Sequence, residues 1–326
     1  MHEIILIIVV LAIIFDISNG WNDSANAIAT VVSTRVLSPF KAVAMAACMN
    51  LLGAFSSTAV AKTIGEGVVS PDAVTHTVVI AALLTSFFWN AALTRLGLPI
   101  SCSHALIGAL MGATVAYGGV AILHFEGLKK IFFSLLISPA IGVLLGYLLM
   151  KSLLKLFGAY SPGFLNRVFG RLQLLSSAFM AFSHGSNDAQ KAMGIITLAL
   201  VSDGLLSSLE VPFWVILTCA ASMALGTAMG GWRVIKTLGV NMLKLEPIHG
   251  FAAETTAAMT ILVSSHFGLP VSTTHVIATS IMGVGATKRF SAVRWGVAGR
   301  IVMAWIFTLP TCFVAGWVIA ELLLHL

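Results

Sequence analysis

The chain has 326 residues, of which 58% are hydrophobic and 9% are charged, and its formal net charge is +6. Soluble domains carry about 25% charged residues, so a surface that mainly faces water is excluded. The four cysteines lack metal-ligand spacing and the basic stretches are too short for a nucleic-acid-binding module, so neither partner is expected. Apolar runs of roughly 17–25 residues, enough to cross a bilayer, recur along the chain. They predict an all-α, multi-pass inner-membrane protein of about ten to twelve helical segments.

The first apolar run is interrupted at mid-span by a polar motif, Asn22-Asp23 within the stretch Gly20–Asn26. Asn, Gly, Ser and Asp favour local bonding of the backbone over continued helix. An ionisable group at the bilayer centre costs at least about 2.5–3.5 kcal/mol, so it needs a reason to be there. We predict a broken helix whose freed carbonyls, with the motif side chains and Ser18, bind a cation.

A proline and a hydroxyl-rich run then precede a short apolar stretch, Ala105–Tyr117. Proline near a helix start, with Ser as cap, is typical of a helix N-terminus, where unpaired N–H groups attract anions. The stretch is short for a complete span. It predicts one arm of a re-entrant helical hairpin, with anion-binding residues at its tip: Ser101, Cys102 and Ser103.

The middle of the chain is basic. Residues 151–171 include four basic side chains and no acidic one. The positive-inside rule places such short segments in the cytoplasm. We therefore predict a cytoplasmic connecting loop over 151–171, between a first membrane repeat (1–150) and a second (172–326).

Both motifs return in the second half. Asn22-Asp23 recurs 165 positions later as Asn187-Asp188, and Gly97–Ser101 recurs 171 positions later as Gly268–Ser272. Matches in one order at nearly constant offset indicate a duplication, which is typical of secondary transporters with a site at the repeat interface. The second copy predicts a second broken helix at Ser183–Asp188 and a second hairpin tip at Ser272, Thr273 and Thr274.

Two ionisable residues make the halves unequal. Lys191 is aligned with Asn26 and lies about one helical turn beyond Asp188. Its ammonium could pair with this carboxylate, attract an anion or occupy a cation site. Glu254 has no acidic equivalent in the first half, and either it binds a coupling cation or it bonds a neighbouring helix.

The two Asn-Asp motifs and the two Gly-Leu-Pro tips resemble the inorganic phosphate transporter (PiT) family over essentially the whole chain. The resemblance implies two inverted-topology repeats, a homodimer, and uptake of inorganic phosphate coupled to Na⁺ or H⁺, with no other cofactor. It also implies roles for the motif residues. The residues implied to bind phosphate are Ser101, Ser103, Ser272, Thr273 and Thr274. Those implied to bind both phosphate and cations are Asn22, Asp23, Asn187 and Asp188. Cys102 departs from a Thr-rich tip, and a thiol is a poorer donor than a hydroxyl, so unequal tips are expected.

Other functions stay open at this point. A permease of the same fold for sulfate or another tetrahedral oxyanion differs only in its anion, although a carboxylate facing the anion favours hydrogen-phosphate, which keeps a proton donor. An ion channel would need a continuous polar path, whereas the polar residues here cluster at paired positions. Neither a zinc motif nor a G-x-S-x-G elbow occurs, so an enzyme is not expected.

Overall fold

The computed structural model describes residues 2–69 and 74–325, which are almost entirely helical. The first half contains α1 (His2–Ser33), α2 (Pro39–Ala54), α3 (Ala59–Gly67), α4 (His76–Leu96), α5 (Cys102–Gly118) and α6 (Phe125–Phe157). The second half contains α7 (Pro162–Ser202), α8 (Phe213–Met229), α9 (Trp232–Lys236), α10 (Pro247–His266), α11 (Thr273–Lys288) and α12 (Trp295–Leu324). A π-helical turn, Thr237–Asn241, continues α9.

Within the described ranges, four helices are long and apolar enough to cross a membrane: α1, α4, α6 and α12. Two bent pairs raise this number to as many as six. They are α2 with α3, bent by 70°, and α8 with α9 and its π-helical continuation, bent by 63°. The expected all-α membrane fold with broken helices is confirmed.

The breaks do not fall at the Asn-Asp motifs, where we had predicted them. Helix α1 runs without interruption through Asn22-Asp23, and α7 through Asn187-Asp188. The nearby serines satisfy the helix from within, since Ser18 Oγ donates to the carbonyl of Phe15 at 2.7 Å and Ser183 Oγ to that of Phe179 at 2.9 Å. In an apolar interior no water competes for these hydrogen bonds between a serine hydroxyl and a carbonyl of its own helix. The predicted free carbonyls at the motifs are therefore wrong.

The basic segment 151–171 is also more ordered than the predicted loop. Helix α6 continues to Phe157 and α7 starts at Pro162, so only four residues, 158–161, connect them. Ser161 caps α7 and Pro162 takes its first position, which suits a residue without an N–H. The prediction of a loop over 151–171 is wrong because the two helices extend through most of this segment and each buries an apolar side chain there, Leu153 and Phe169.

Each half packs chiefly on the other. Helix α1 lies against α8 and α7 against α2, while α5 lies against α12 and α11 against α6. Glycines permit the closest approaches, as at Gly185, where a Cβ would lie 2.2 Å from the carbonyl oxygen of Asn50. Small residues at helix crossings let backbones touch in the same way in many membrane proteins. The halves are thus interlocked and share one core.

Two helical hairpins reach the centre of the molecule, as expected for re-entrant hairpins. The first hairpin is α4 with α5, and the second is α10 with α11. Gly97 and Gly268 have φ of 73° and 64°, the left-handed conformation that ends a helix and that glycine adopts without strain. Ser101 and Ser272 then cap the next helix by accepting from the backbone N–H of residues 104 and 275.

Candidate functional site

The tip of the second hairpin is hydrogen-bonded to both motif aspartates. Thr274 Oγ1 donates to Asp23 Oδ1 at 2.9 Å, and Thr273 Oγ1 donates to Asp188 Oδ2 at 2.9 Å. Asn26 of α1 donates from Nδ2 to Thr274 Oγ1 at 2.9 Å. These side chains are at most 1% exposed. Hydrogen bonds to an ionised acceptor are roughly twice as strong as neutral ones, so they hold the tip firmly on the two helices.

Asp188 also contacts two basic side chains of its own helix. Lys191 Nζ lies 2.8 Å from Oδ1, and His184 Nε2 lies 3.1 Å from Oδ2. All three side chains are buried. Of the roles weighed for Lys191, the structure has the ammonium pairing with Asp188, on the side where a mobile cation could otherwise bind.

The hydrogen-bond network around His184 orients its ring. Thr227 Oγ1 donates to the carbonyl of Met223 at 2.9 Å and accepts from Asn50 Nδ2 at 2.8 Å. Asn50 therefore turns its carbonyl oxygen to His184 Nδ1, 3.0 Å away, so that nitrogen is the donor. The other ring nitrogen, His184 Nε2, lies 3.1 Å from Asp188 Oδ2.

The two motif asparagines make equivalent bonds in the two halves. Asn22 Nδ2 donates to Thr94 Oγ1 at 2.7 Å, and Asn187 Nδ2 donates to Ser265 Oγ at 2.8 Å. Thr94 is near the end of the first arm of the first hairpin, and Ser265 holds the same place in the second hairpin, 171 positions later. Each motif helix is thus bonded to the hairpin of its own half.

The first hairpin tip contributes differently from the second. Ser103 Oγ donates to the carbonyl of Val271 in the second tip at 3.1 Å, and Ser101 Oγ bonds to His104 Nδ1 at 2.6 Å. Cys102, which stands where the second tip has Thr273, turns its Sγ to Asn90 Oδ1 at 3.3 Å. A weak thiol donor competes poorly for a carboxylate. Both hydroxyls on the aspartates consequently come from the second tip.

Some predicted site residues lie outside this cluster. The hydroxyls of Ser18 and Ser183 are used by the carbonyls of their own helices. Glu254 accepts from Thr30 Oγ1 at 2.5 Å, from Gln173 Nε2 at 3.1 Å and from Ser176. Glu254 therefore links α1, α7 and α10 through hydrogen bonds, and its predicted cation binding stays a prediction.

Sequence reasoning missed several contacts. Thr94, Ser265 and His184 each contact a motif residue, and Asn26 bonds the second hairpin tip, yet none was predicted to do so. The repeat offsets held a usable signal, because Thr94 and Ser265 match at the offset of the hairpin tips. Nothing in the sequence alone indicated that Asn26 reaches the second tip, 248 positions away.

Two cavities flank the centre at duplicated positions. One, of about 370 Å³, is lined by residues that include Ser57, Ser186 and Ser265. The other, of about 600 Å³, is lined by residues that include Trp21, Thr94 and Gly231. Trp21 and Ser186 are equivalent in the repeat, as are Thr94 and Ser265. Each cavity thus ends beside one of the two asparagine–hydroxyl bonds.

Buried carboxylates, an ammonium and two hairpin tips at the centre of an all-helical membrane fold define a membrane transporter rather than an enzyme. The family model described as "Phosphate transporter family" matches residues 19–316, and the chain belongs to this family.

Curated relatives and a solved structure agree with this assignment. A protein of Bacillus subtilis (strain 168) described as a probable low-affinity inorganic phosphate transporter is 44% identical over 308 residues, which cover 94% of this chain and 92% of that protein. One of Rhizobium meliloti (strain 1021) with the same description is 46% identical, over 93% of this chain and 91% of that protein. A solved structure entitled "The sodium-dependent phosphate transporter" matches with a TM-score of 0.91 at 25% identity, over 99% of this chain and 100% of that one.

Proposed function

We propose that this multi-pass membrane protein imports inorganic phosphate together with a small cation, Na⁺ or H⁺, by alternating access. The observation that carries the proposal is the direct bonding of Thr273 and Thr274 to Asp188 and Asp23. Hydroxyls that satisfy a carboxylate can equally donate to a phosphate oxygen, and carboxylates released from them can bind cations.

The anion site lies between the two tips and the two motif helices. Its proposed members are Ser101, Cys102, Ser103, Ser272, Thr273, Thr274, Asn22, Asp23, Asn187 and Asp188. An empty carboxylate within the membrane is costly, so the carrier should move most readily when cation and phosphate neutralise each other there.

The paired cavities support alternating access. Each is lined by a hairpin hydroxyl that bonds a motif asparagine, Thr94 with Asn22 or Ser265 with Asn187. Opening one bond while the other stays closed would connect the site to one side of the membrane at a time. The larger cavity is also lined by Arg95 and Arg233, whose positive charges attract anions.

Two observations bear on the coupling ion. The relative of known structure is named as sodium-dependent, which supports Na⁺. Lys191 already supplies a positive charge 2.8 Å from Asp188, which favours fewer sodium ions or coupling to protons. Sulfate is the alternative anion, but Asp23 and Asp188 are acceptors, and hydrogen-phosphate alone can donate to them. The homodimer remains a prediction.

Uptake of radiolabelled phosphate into proteoliposomes tests this function, with sodium and pH gradients imposed separately and sulfate as competitor. We expect phosphate accumulation under at least one gradient and little competition by sulfate. Thr273→Val should abolish accumulation, whereas Thr218→Val, which removes an exposed hydroxyl of α8 bonded only to its own helix, should not. Sulfate uptake without phosphate uptake under either gradient would overturn the proposal.

A further inference from the structure

Two polar side chains of α1 lie outside the proposed phosphate site and have no assigned role. Asp16 and Asn19 are three residues apart, and therefore share one face of the helix, about one turn before Asn22-Asp23. Both are 0% exposed. A carboxylate buried in a membrane-spanning helix marks a candidate functional site, and the group that pairs with it has to be identified.

Asp16 and Asn19 lack such a partner among the residues that the structure describes. Asn19 is the polar neighbour of Asp16, but neither carboxylate oxygen and neither polar atom of the amide meets the geometry of a hydrogen bond. An unsatisfied buried polar atom costs about 1–3 kcal/mol, and a charged one costs more. The same protein satisfies Glu254, equally buried, with three side-chain donors, so Asp16 is an exception that calls for a ligand.

The surrounding charges do not neutralise Asp16. The ionisable groups that act on it are Asp188 and Lys191 of α7 and the thiol of Cys219 on α8. Among the described residues the ammonium of Lys191 pairs with Asp188, 2.8 Å away, and no basic side chain forms an ion pair with Asp16. A charge on the Asp16 carboxylate is therefore not compensated by a protein group.

The repeat explains why such a site occurs in one half. At the offset of 165, Asn19 is equivalent to His184, and Asp16 to the uncharged Ala181. His184 Nδ1 bonds to Asn50, and its Nε2 lies 3.1 Å from Asp188. In the second half a basic side chain thus belongs to the protein, whereas beside Asp16 a cation has to come from solution.

We propose that Asp16 and Asn19 form a binding site for one small cation, H⁺ or Na⁺, separate from the Asp23–Asp188 pair. The ligand atoms are the carboxylate oxygens of Asp16 and the Oδ1 of Asn19, because α1 is unbroken here and its carbonyls are engaged in the helix. A cation at this site removes the uncompensated charge behind the motif and so favours entry of the anion. This inference rests on the proposed phosphate transport.

Linkage gives the test. If one cation bound at Asp16 accompanies phosphate, the slope of log apparent phosphate affinity against log cation concentration should be lower by one in Asp16→Asn than in the wild type. Phosphate binding to the purified full chain is measured while pH is varied without sodium, and while sodium is varied at fixed pH. A lower slope in the pH series identifies the cation as H⁺, and a lower slope in the sodium series identifies it as Na⁺.

The matched control is Asp203→Asn, which removes a carboxylate paired with His76 and remote from the motif. Its slopes should equal those of the wild type. Unchanged slopes in a folded Asp16→Asn protein would overturn the inference. If that variant does not fold, Asn19→Ala provides the test, because it keeps the carboxylate and removes the amide oxygen. The midpoint of the cation titration should then shift at least threefold. An unshifted midpoint refutes the site. If the wild-type protein neither binds nor exchanges phosphate, the proposed function itself is refuted.

Discussion

Replacing Lys191 with Asn tests whether the ammonium stands in for a mobile cation, since Asn26 holds the equivalent position in the first half. Lys191 Nζ lies 2.8 Å from Asp188 Oδ1, and the two side chains are 1% and 0% exposed. Removing one partner of a buried ion pair costs about 3–5 kcal/mol, because the other charge stays buried. Without sodium, we expect Lys191→Asn to lower the free energy of unfolding by this amount.

Sodium should restore much of that loss. A cation that binds only the folded state stabilises it by about 2.7 kcal/mol at a hundredfold excess over its dissociation constant. Unfolding in detergent, followed at low and high sodium, should therefore show a sodium-dependent gain in Lys191→Asn that exceeds the gain in the wild type. The double variant with Asp188→Asn should be more stable than Lys191→Asn at low sodium.

Lys129→Asn is the control, because Lys129 pairs with Glu126 in full solvent exposure, where an ion pair adds little. It should unfold like the wild type at both sodium concentrations. The reasoning fails if Lys191→Asn is as stable as the wild type without sodium, or if both respond to sodium equally.

Three further substitutions probe the site and its packing. Thr274→Val removes a hydroxyl that donates to the bound phosphate, a charge-assisted bond worth about 1.5–3 kcal/mol, so phosphate affinity should fall roughly 10–100-fold in binding assays, while Thr274→Ser should keep it. Cys102→Thr supplies a better donor at the first tip and should raise phosphate affinity; a fall would contradict the account of unequal tips. Gly185→Ala places a methyl against Asn50 and should lower the free energy of unfolding by about 1–3 kcal/mol, whereas Gly163→Ala, which meets open space, should not.

The hairpin tips were the part of the fold most open to prediction. Ser101 and Ser272 cap the helices that follow the two prolines, as the Pro-x-Ser pattern indicated, and Gly97 and Gly268 end the preceding helices in the left-handed conformation. Local chemistry decides these features, because a helix stop and a cap each depend on a few neighbouring residues. The same patterns at constant offset also indicated the duplication.

The positions of the helix breaks were beyond local reasoning. Asn, Ser and Asp around Asp23 are poor helix formers in water, but in the buried helix α1 the backbone gains more from its own hydrogen bonds. The real breaks follow Ala54 and Met229. The second of them coincides with Gly230-Gly231, a pair that punctuates helices, so this part of the signal was present in the sequence.

The asymmetry of the site was predictable in kind but not in detail. Cys102 indicated unequal tips, and Lys191 indicated unequal motifs. Which hydroxyl reaches which carboxylate depends on the packing of α1, α7 and α11, and contacts between residues 85 and 251 positions apart are not encoded in any local pattern. Likewise, the partners that satisfy Glu254 and the lack of partners at Asp16 follow only from tertiary packing.

The interlocking of the two halves has a consequence for biosynthesis. Helix α1 needs α8, which begins at Phe213, and α5 needs α12, which begins at Trp295. The ribosome therefore delivers half of the chain to the bilayer well before its packing partners exist, with Asn50 and the Asp23 motif still exposed to lipid or to the insertion machinery. Maturation is in this sense a problem of timing: the early helices must be sheltered until the last one is synthesised.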